Sequence, residues 1–340
     1  MRTWLQLLFV FVAFVGFCIT PACADDMAPI VAKPPTMDGR IEDTEWQAAL
    51  RVDGFAHGGL LERRKATAWI MATPTHLYCA IRSELPQQGS ILAEIARESE
   101  NLVYDDSVEL WLDPTPGATS GARYQMLANS KGFRWFRKHP YGGAPEEPGW
   151  RGDWEVRNSL HDGYWDCEIA VPVASVQSGR SVGDGAWGIN LCRNWKQEWA
   201  WSSLGGAEYK PTVVVRFAQS APTVRLELLS DVHTGKVEVV LSVTNNEARS
   251  VDCTPLLRLE RDLMPEVREG GAMAIAPGET KRTALTVDDA NSRKFTLAAS
   301  VKIGGTTAFE RTVAWDADRK PHRWVVAPRV VPPLDMRFAY

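Results

Sequence analysis

The chain has 340 residues, 45% of them hydrophobic, and its 38 Lys and Arg against 42 Asp and Glu leave a net charge of −4. This length and composition are sufficient for more than one hydrophobic core, and they predict two domains. The charges are mixed along the chain rather than grouped in blocks, which excludes nucleic acid and anionic membranes as natural partners.

Residues 1–24 have the features of a secretory signal peptide. Arg2 lies near the start, an apolar run covers residues 5–19, and Ala22-Cys23-Ala24 stands before Asp25. A charged start, an apolar centre and a small-x-small ending are typical of such leaders. We expect a mature chain that begins at Asp25 and is secreted, extracellular or periplasmic, with no transmembrane segment. A lipid anchor at Cys23 is the alternative.

Many short strands separated by turn residues are predicted between residues 25 and 219. The segment begins with an Asp38-Gly39 turn and a helical turn that carries Trp46 inward. Period-two alternation and a strand length of five to eight residues are typical of a β-sandwich. The predicted strands are 66–72, 76–82, 108–112, 124–129, 133–137, 154–160, 164–171 and 186–193.

A second series of alternating strands covers residues 222–315 and predicts an immunoglobulin-like or fibronectin-type sandwich. Its predicted strands are 224–229, 236–244, 254–259, 280–287, 295–303 and 306–314. Residues 316–340 form a tail rich in Pro and Arg. The predicted fold class is therefore all-β, with two antiparallel β-sandwich domains in tandem.

The strand around residues 107–113 carries the first indication of function. Val108, Leu110 and Leu112 alternate with Glu109 and Trp111, so one face belongs to the core and the other carries a carboxylate beside an indole. An aromatic ring covers the apolar C–H face of a sugar, and a carboxylate accepts hydrogen bonds from its hydroxyl groups. The pattern suits a sugar platform, although a strand with one solvated face would have the same pattern.

An ordered set of short motifs between Pro29 and Phe217 resembles carbohydrate-binding module family 9-like domains. The resemblance implies an extracellular β-sandwich that holds a sugar unit between two Trp side chains, with structural calcium. It rests on Asp38-Gly39 with Trp46 and Ala49, His76-Leu77-Tyr78, Asp106 to Leu110, Tyr124-Gln125 with Asn129, Gly163-Tyr164-Trp165, Glu168 to Pro172, and Trp187 to Arg193.

The same resemblance implies a set of site residues. Glu109 matches the strand glutamate that hydrogen-bonds the sugar. The first clamping Trp would fall near Val103, where this chain has no ring, but Tyr104 is adjacent. The second clamping ring belongs to the loop before the last strand, and Arg193 adds a polar group near it. The rings that this chain offers in that loop are Trp199, Trp201 and Tyr209.

Metal and cofactor interpretations rest on few residues. Asp105 and Asp106 could bind calcium through carboxylate oxygens, or could cap the adjoining loop. No cofactor is expected to be required. Sandwiches related to this family bind haem through a Met and a His, and Met71 with His161 offers such a pair.

Four cysteines follow the leader, and their wide spacing argues against a zinc site. They are compatible with buried thiols or with disulfides, and they are Cys79, Cys167, Cys192 and Cys253.

Catalysis is not expected. Glu109 and Asp113 lie on one strand, whereas a glycosidase needs two carboxylates facing each other across a cleft. We therefore predict a secreted, non-catalytic protein that binds a polysaccharide and acts with a carbohydrate-active enzyme as partner. A haem-binding sandwich and a structural module for protein interaction are the alternatives.

Overall fold

The computed structural model describes residues 25–86, 90–177, 179–197, 200–206, 210–264 and 266–318. The predicted leader, Trp199, Tyr209 and nearly all of the predicted tail lie outside these residues. No helix in the described ranges is long and apolar enough to cross a membrane.

Strands account for most of the regular structure. In chain order they are β1 (Asp26–Pro29), β2 (Leu50–Asp53), β3 (Ala56–His57), β4 (Leu60–Leu61), β5 (Ala66–Ala72), β6 (His76–Glu84), β7 (Ser107–Asp113), β8 (Gly121–Asn129), β9 (Arg134–Tyr141), β10 (Glu155–Leu160), β11 (Tyr164–Pro172), β12 (Ala186–Trp195), β13 (Ala200–Ser203), β14 (Val213–Ala218), β15 (Thr223–Leu228), β16 (Lys236–Thr244), β17 (Val251–Arg261), β18 (Val267–Gly270), β19 (Met273–Ile275), β20 (Thr280–Asp288), β21 (Lys294–Ile303) and β22 (Thr306–Asp316). The helical elements are α1 (Asp43–Trp46), α2 (Val173–Val176) and the 3₁₀ turns Glu100–Tyr104 and Val232–Thr234.

These strands form two sheets, which confirms the predicted all-β sandwich. The larger sheet has 14 strands in the order β18-β17-β21-β22-β4-β3-β13-β12-β7-β8-β9, with β14 paired to β12 and β1, and β19 paired to β17. The smaller sheet has eight strands in the order β10-β11-β6-β5-β2-β15-β16-β20. Strands β5 and β16 have the bounds that the sequence predicts, and several others extend their predicted ranges by one to three residues.

Both sheets continue through the predicted boundary near residue 220. In the smaller sheet β15 pairs in parallel with β2, and in the larger sheet β22 pairs in parallel with β4. The Arg311 guanidinium on β22 donates to the carbonyl oxygens of Leu204 and Gly54, both at 2.6 Å. The two predicted sandwiches are therefore joined side by side through shared sheets and shared backbone hydrogen bonds.

The core lies between the two sheets and includes residues of both halves, from Ala28 to Ala317. A second apolar cluster covers the outer face of the smaller sheet, where Trp46 packs with Trp69, Met71 and Tyr78. Trp46 Nε1 on α1 donates to Glu168 Oε1 at 3.0 Å, which attaches α1 to β11. The segment that carries Trp46 therefore covers part of the outer face of the smaller sheet.

Candidate functional site

A cleft of about 370 Å³ opens on the outer face of the larger sheet. It lies where β7, β8, β12 and β13 meet the 3₁₀ turn Glu100–Tyr104. Alternation along β7 places Val108, Leu110 and Leu112 in the core and Glu109 on the cleft side. The lining residues are Val103, Tyr104, Glu109, Trp111, Gln125, Asn194, Trp195, Lys196, Ala200 and Trp201.

The floor of the cleft is the carboxylate of Glu109, which is only 1% exposed. Its Oε2 accepts hydrogen bonds from Trp111 Nε1 at 3.1 Å and Gln125 Nε2 at 2.9 Å. Its Oε1 accepts one from Asn194 Nδ2 at 3.0 Å. Burial raises the pKa of Glu109, while the three N–H donors oppose that rise by stabilising the ionised form. The result is a carboxylate held in one orientation by its neighbours.

Two exposed rings stand on the rim above this floor. Tyr104 is 55% exposed at the end of the 3₁₀ turn, and Trp201 is 41% exposed on β13. The Trp201 indole meets the His57 ring edge-on, with 4.9 Å between ring centroids. Glu109 and Tyr104, together with Trp201 from about ninety residues later in the chain, thus line one cleft, and all three were selected by the sequence analysis.

Asp105 holds the loop that carries Tyr104. Its Oδ1 accepts a hydrogen bond from the backbone N–H of Glu94 at 3.0 Å, and its Oδ2 accepts one from that of Ile95 at 2.9 Å. Asn129 Nδ2 donates to the same Oδ2 at 3.0 Å. Both oxygens of the buried carboxylate therefore accept N–H hydrogen bonds that join the loop to neighbouring segments.

Asp106 has a similar role, because it joins the segment around Leu92 to the residue that follows β12. Its two oxygens accept hydrogen bonds from the backbone N–H groups of Leu92 and Lys196, both at 2.6 Å. Burial raises the pKa of Asp106 against these hydrogen bonds. These hydrogen bonds fit the loop interpretation of Asp105 and Asp106. No group of three or more His, Cys, Asp or Glu side chains that could hold a metal ion occurs in the described part of the chain, and the calcium interpretation stays a prediction.

Arg193 does not contribute to the cleft, which corrects the sequence prediction. It is fully buried on β12, where Nε donates to Ser202 Oγ at 2.9 Å and Nη1 donates to the Lys65 carbonyl at 2.8 Å. Nη2 donates to the Arg64 carbonyl. The guanidinium faces the core with Ile189 and Leu191, so it fixes a loop instead of contacting a ligand.

Two lining residues, Gln125 and Asn194, were not identified as site residues from the sequence. Their side-chain amides hold the Glu109 carboxylate, and Trp195 and Lys196 also line the cleft. Gln125 lies opposite Trp111 in the β7–β8 ladder, and Asn194 lies opposite Ser107 in the β7–β12 ladder. Polar residues inside predicted strands were a signal for a site, but only the strand register shows that the Gln125 and Asn194 side chains meet at Glu109.

The two residues of the predicted haem pair lie far apart along the smaller sheet. Met71 lies opposite Tyr78, whereas His161 stacks on Tyr164, which lies opposite Glu84. Six residues along β6 separate these two positions by about 20 Å. Met71 and His161 therefore cannot bind the same iron.

Residues 179–188 match two short patterns of enzymes, Gly-x-Ser-x-Gly and Gly-x-Gly-x-x-Gly. Both patterns function at a turn that leads from a strand into a helix. Here the segment follows α2 and leads into β12, and Ser181 is exposed in the turn. The segment lacks the structural context that either pattern requires.

No family model matches the chain, and no curated protein matches its sequence. Among solved structures, a Bacteroides uniformis protein named for an inferred carbohydrate-binding role has a TM-score of 0.44 and 12% identity, over 57% of this chain and 98% of that one. A DUF4785 family protein from Legionella pneumophila has a TM-score of 0.21 and 9% identity, over 75% of this chain and 56% of that one. A Bacteroides uniformis β-glucuronidase has a TM-score of 0.20 and 7% identity, over 72% of this chain and 26% of that one. These values are too low to carry a functional assignment.

Proposed function

We propose that this chain is a non-catalytic carbohydrate-binding protein whose binding site is the cleft between Tyr104 and Trp201. The observation that carries the proposal is a buried acceptor, Glu109, beneath two exposed rings in one cleft. Sugars present an apolar C–H face to rings and hydroxyl donors to a carboxylate. This combination is the one that the resemblance to family 9-like modules implies for a sugar site.

The acceptor capacity of Glu109 supports hydroxyl recognition. A carboxylate oxygen has about two acceptor positions. Oε1 accepts a hydrogen bond from Asn194 Nδ2, which leaves a second position for a sugar hydroxyl. Glu109 acts as a fixed acceptor, because three N–H donors already set its orientation.

The proposal includes the biological setting that the leader sequence implies. The protein would be secreted, would bind a plant, algal or microbial polysaccharide, and would serve a carbohydrate-active enzyme on another chain. Binding would need no cofactor.

Affinity electrophoresis through gels containing defined polysaccharides tests the site. Trp201→Ala and Tyr104→Ala should each weaken binding about tenfold, because each removes an exposed ring and leaves the core intact. Leu160→Ala is the matched control, since Leu160 is 56% exposed on β10 in the other sheet.

Binding that survives both ring variants would locate the site elsewhere. Failure of the wild-type protein to bind any polysaccharide, with or without a chelator, would favour the structural alternative. Glu109→Gln completes the set, and its thermal unfolding should be measured in parallel because the carboxylate is buried.

A further inference from the structure

The ring surface of the cleft continues outward across β8 to β9. Trp111, which lines the cleft, stacks on His139 with 5.3 Å between ring centroids and 26° between planes. Both side chains are partly exposed. The stacked pair therefore forms a second aromatic surface that begins at the edge of the cleft.

Hydrogen bonds connect this second surface to the floor of the cleft. Gln125 Nε2 donates to Glu109 Oε2 at 2.9 Å, and Gln125 Oε1 lies 3.1 Å from His139 Nε2. An ionised carboxylate only accepts, so the amide of Gln125 turns its NH₂ group toward Glu109 and its oxygen toward His139. His139 must then carry a proton on Nε2. The chain of contacts fixes the imidazole in one orientation beside Trp111.

Positive charge lies beside the stacked pair. Arg137 is exposed on β9, opposite Gln125, and forms no ion pair with any described carboxylate. Arg123 adds a second guanidinium, which Asp113 partly offsets at 3.7 Å. Burial lowers the pKa of His139, and the charges of Arg137 and, less strongly, Arg123 lower it further, while the Glu146 carboxylate acts in the opposite direction. His139 is therefore a neutral group near pH 7, and Arg137 supplies the charge of this surface.

We infer that the cleft opens onto a second subsite, formed by Trp111, His139 and Arg137, which binds an anionic sugar unit. The inference rests on the proposed function and specifies its ligand as a polysaccharide that carries carboxylate or sulfate groups. Two strand spacings, about 10 Å, separate β7 from β9, so one chain can extend from Glu109 to Arg137. Guanidinium groups bind carboxylate and sulfate oxygens through charge-assisted hydrogen bonds.

Matched pairs of ligands test the charge requirement directly. Oligogalacturonate and its methyl-esterified form share one sugar backbone, and esterification replaces the charged carboxylate by a neutral methyl ester. A sulfated galactan with its desulfated form provides the sulfate comparison. We expect tighter binding of the charged member of at least one pair, with an affinity that decreases as NaCl increases. The pair that responds identifies the anionic group.

Variants at position 137 assign the effect to the subsite. Arg137→Gln should weaken binding of the charged member about fivefold and leave the neutral member unchanged, and Arg137→Lys should restore part of the loss. Arg282→Gln is the matched control, because Arg282 is exposed on β20, at the far edge of the smaller sheet.

The outcomes separate this inference from the proposed function. If neutral and charged members bind equally well and Trp201→Ala weakens binding of both about tenfold, the anionic subsite is wrong and the carbohydrate site stands. If Arg137→Gln and Arg282→Gln reduce affinity equally, the effect is general electrostatics and the subsite is refuted. If no member of either pair binds, both proposals fail.

Discussion

Asp26 provides the clearest pH-dependent prediction. It lies on β1 and is 6% exposed, and its Oδ1 accepts a hydrogen bond from the Glu310 backbone N–H of β22 at 3.0 Å. Burial raises its pKa from 3.8 to about 7, although the Arg311 charge opposes the rise. The native state therefore keeps this proton up to about pH 7, while the unfolded chain loses it near pH 4.

The sign of the effect follows from proton binding. Between these two pKa values the native state binds more protons than the unfolded state, so stability decreases as the pH rises from about 4 to 7. At about 1.4 kcal/mol per pH unit, the difference amounts to about 4 kcal/mol above pH 7. Asp26→Asn mimics the protonated form and retains an acceptor for the Glu310 N–H. The variant should match the wild type near pH 4 and exceed its stability by up to about 4 kcal/mol at pH 8.

Urea unfolding at several pH values measures this difference. Asp162→Asn is the control, because Asp162 is exposed in the turn between β10 and β11 and its substitution should change stability by only a few tenths of a kcal/mol at any pH. A constant difference between Asp26→Asn and wild type from pH 4 to 8 would refute the reasoning. So would a wild type that gains stability relative to the variant over that range.

Two further predictions concern the core. Arg193→Met should destabilise the protein by about 3 kcal/mol in urea unfolding, because it leaves the buried carbonyls of Arg64 and Lys65 without their donor; a loss below about 1 kcal/mol would contradict that role. The four cysteines after residue 24 are free and buried, and burial raises the pKa of each thiol, so a thiol reagent should label them only after unfolding. Labelling of the native protein at the rate of a free thiol would show that this burial is incomplete.

The strand pattern could be predicted because it is local. Alternation of apolar and polar residues along β7 identified its core face and its cleft face, and the bounds of β5 and β16 followed from flanking turn residues. Each signal needs only neighbouring residues, since successive side chains of a strand point to opposite faces. Glu109 was found for the same reason.

The role of Arg193 could not be predicted from the residues next to it in the sequence. Its alternation with Ile189 and Leu191 on β12 places it on the core face, so the sequence contained the correct parity. A buried arginine is uncommon unless its donors find partners. Those partners, Arg64 and Lys65, come from a loop more than a hundred residues earlier, so the sequence suggested a surface role.

The sequence by itself determined the all-β class, most strands, and the choice of Glu109, Tyr104 and Trp201 as candidate ligands for a sugar. The tertiary structure decided that these three side chains line one cleft and that Arg193 lies in the core. It also decided that β15 and β22 extend the sheets of the first half across the predicted domain boundary. The physical reason is strand register: pairing between distant segments sets which residues face each other, and no local alternation encodes that choice.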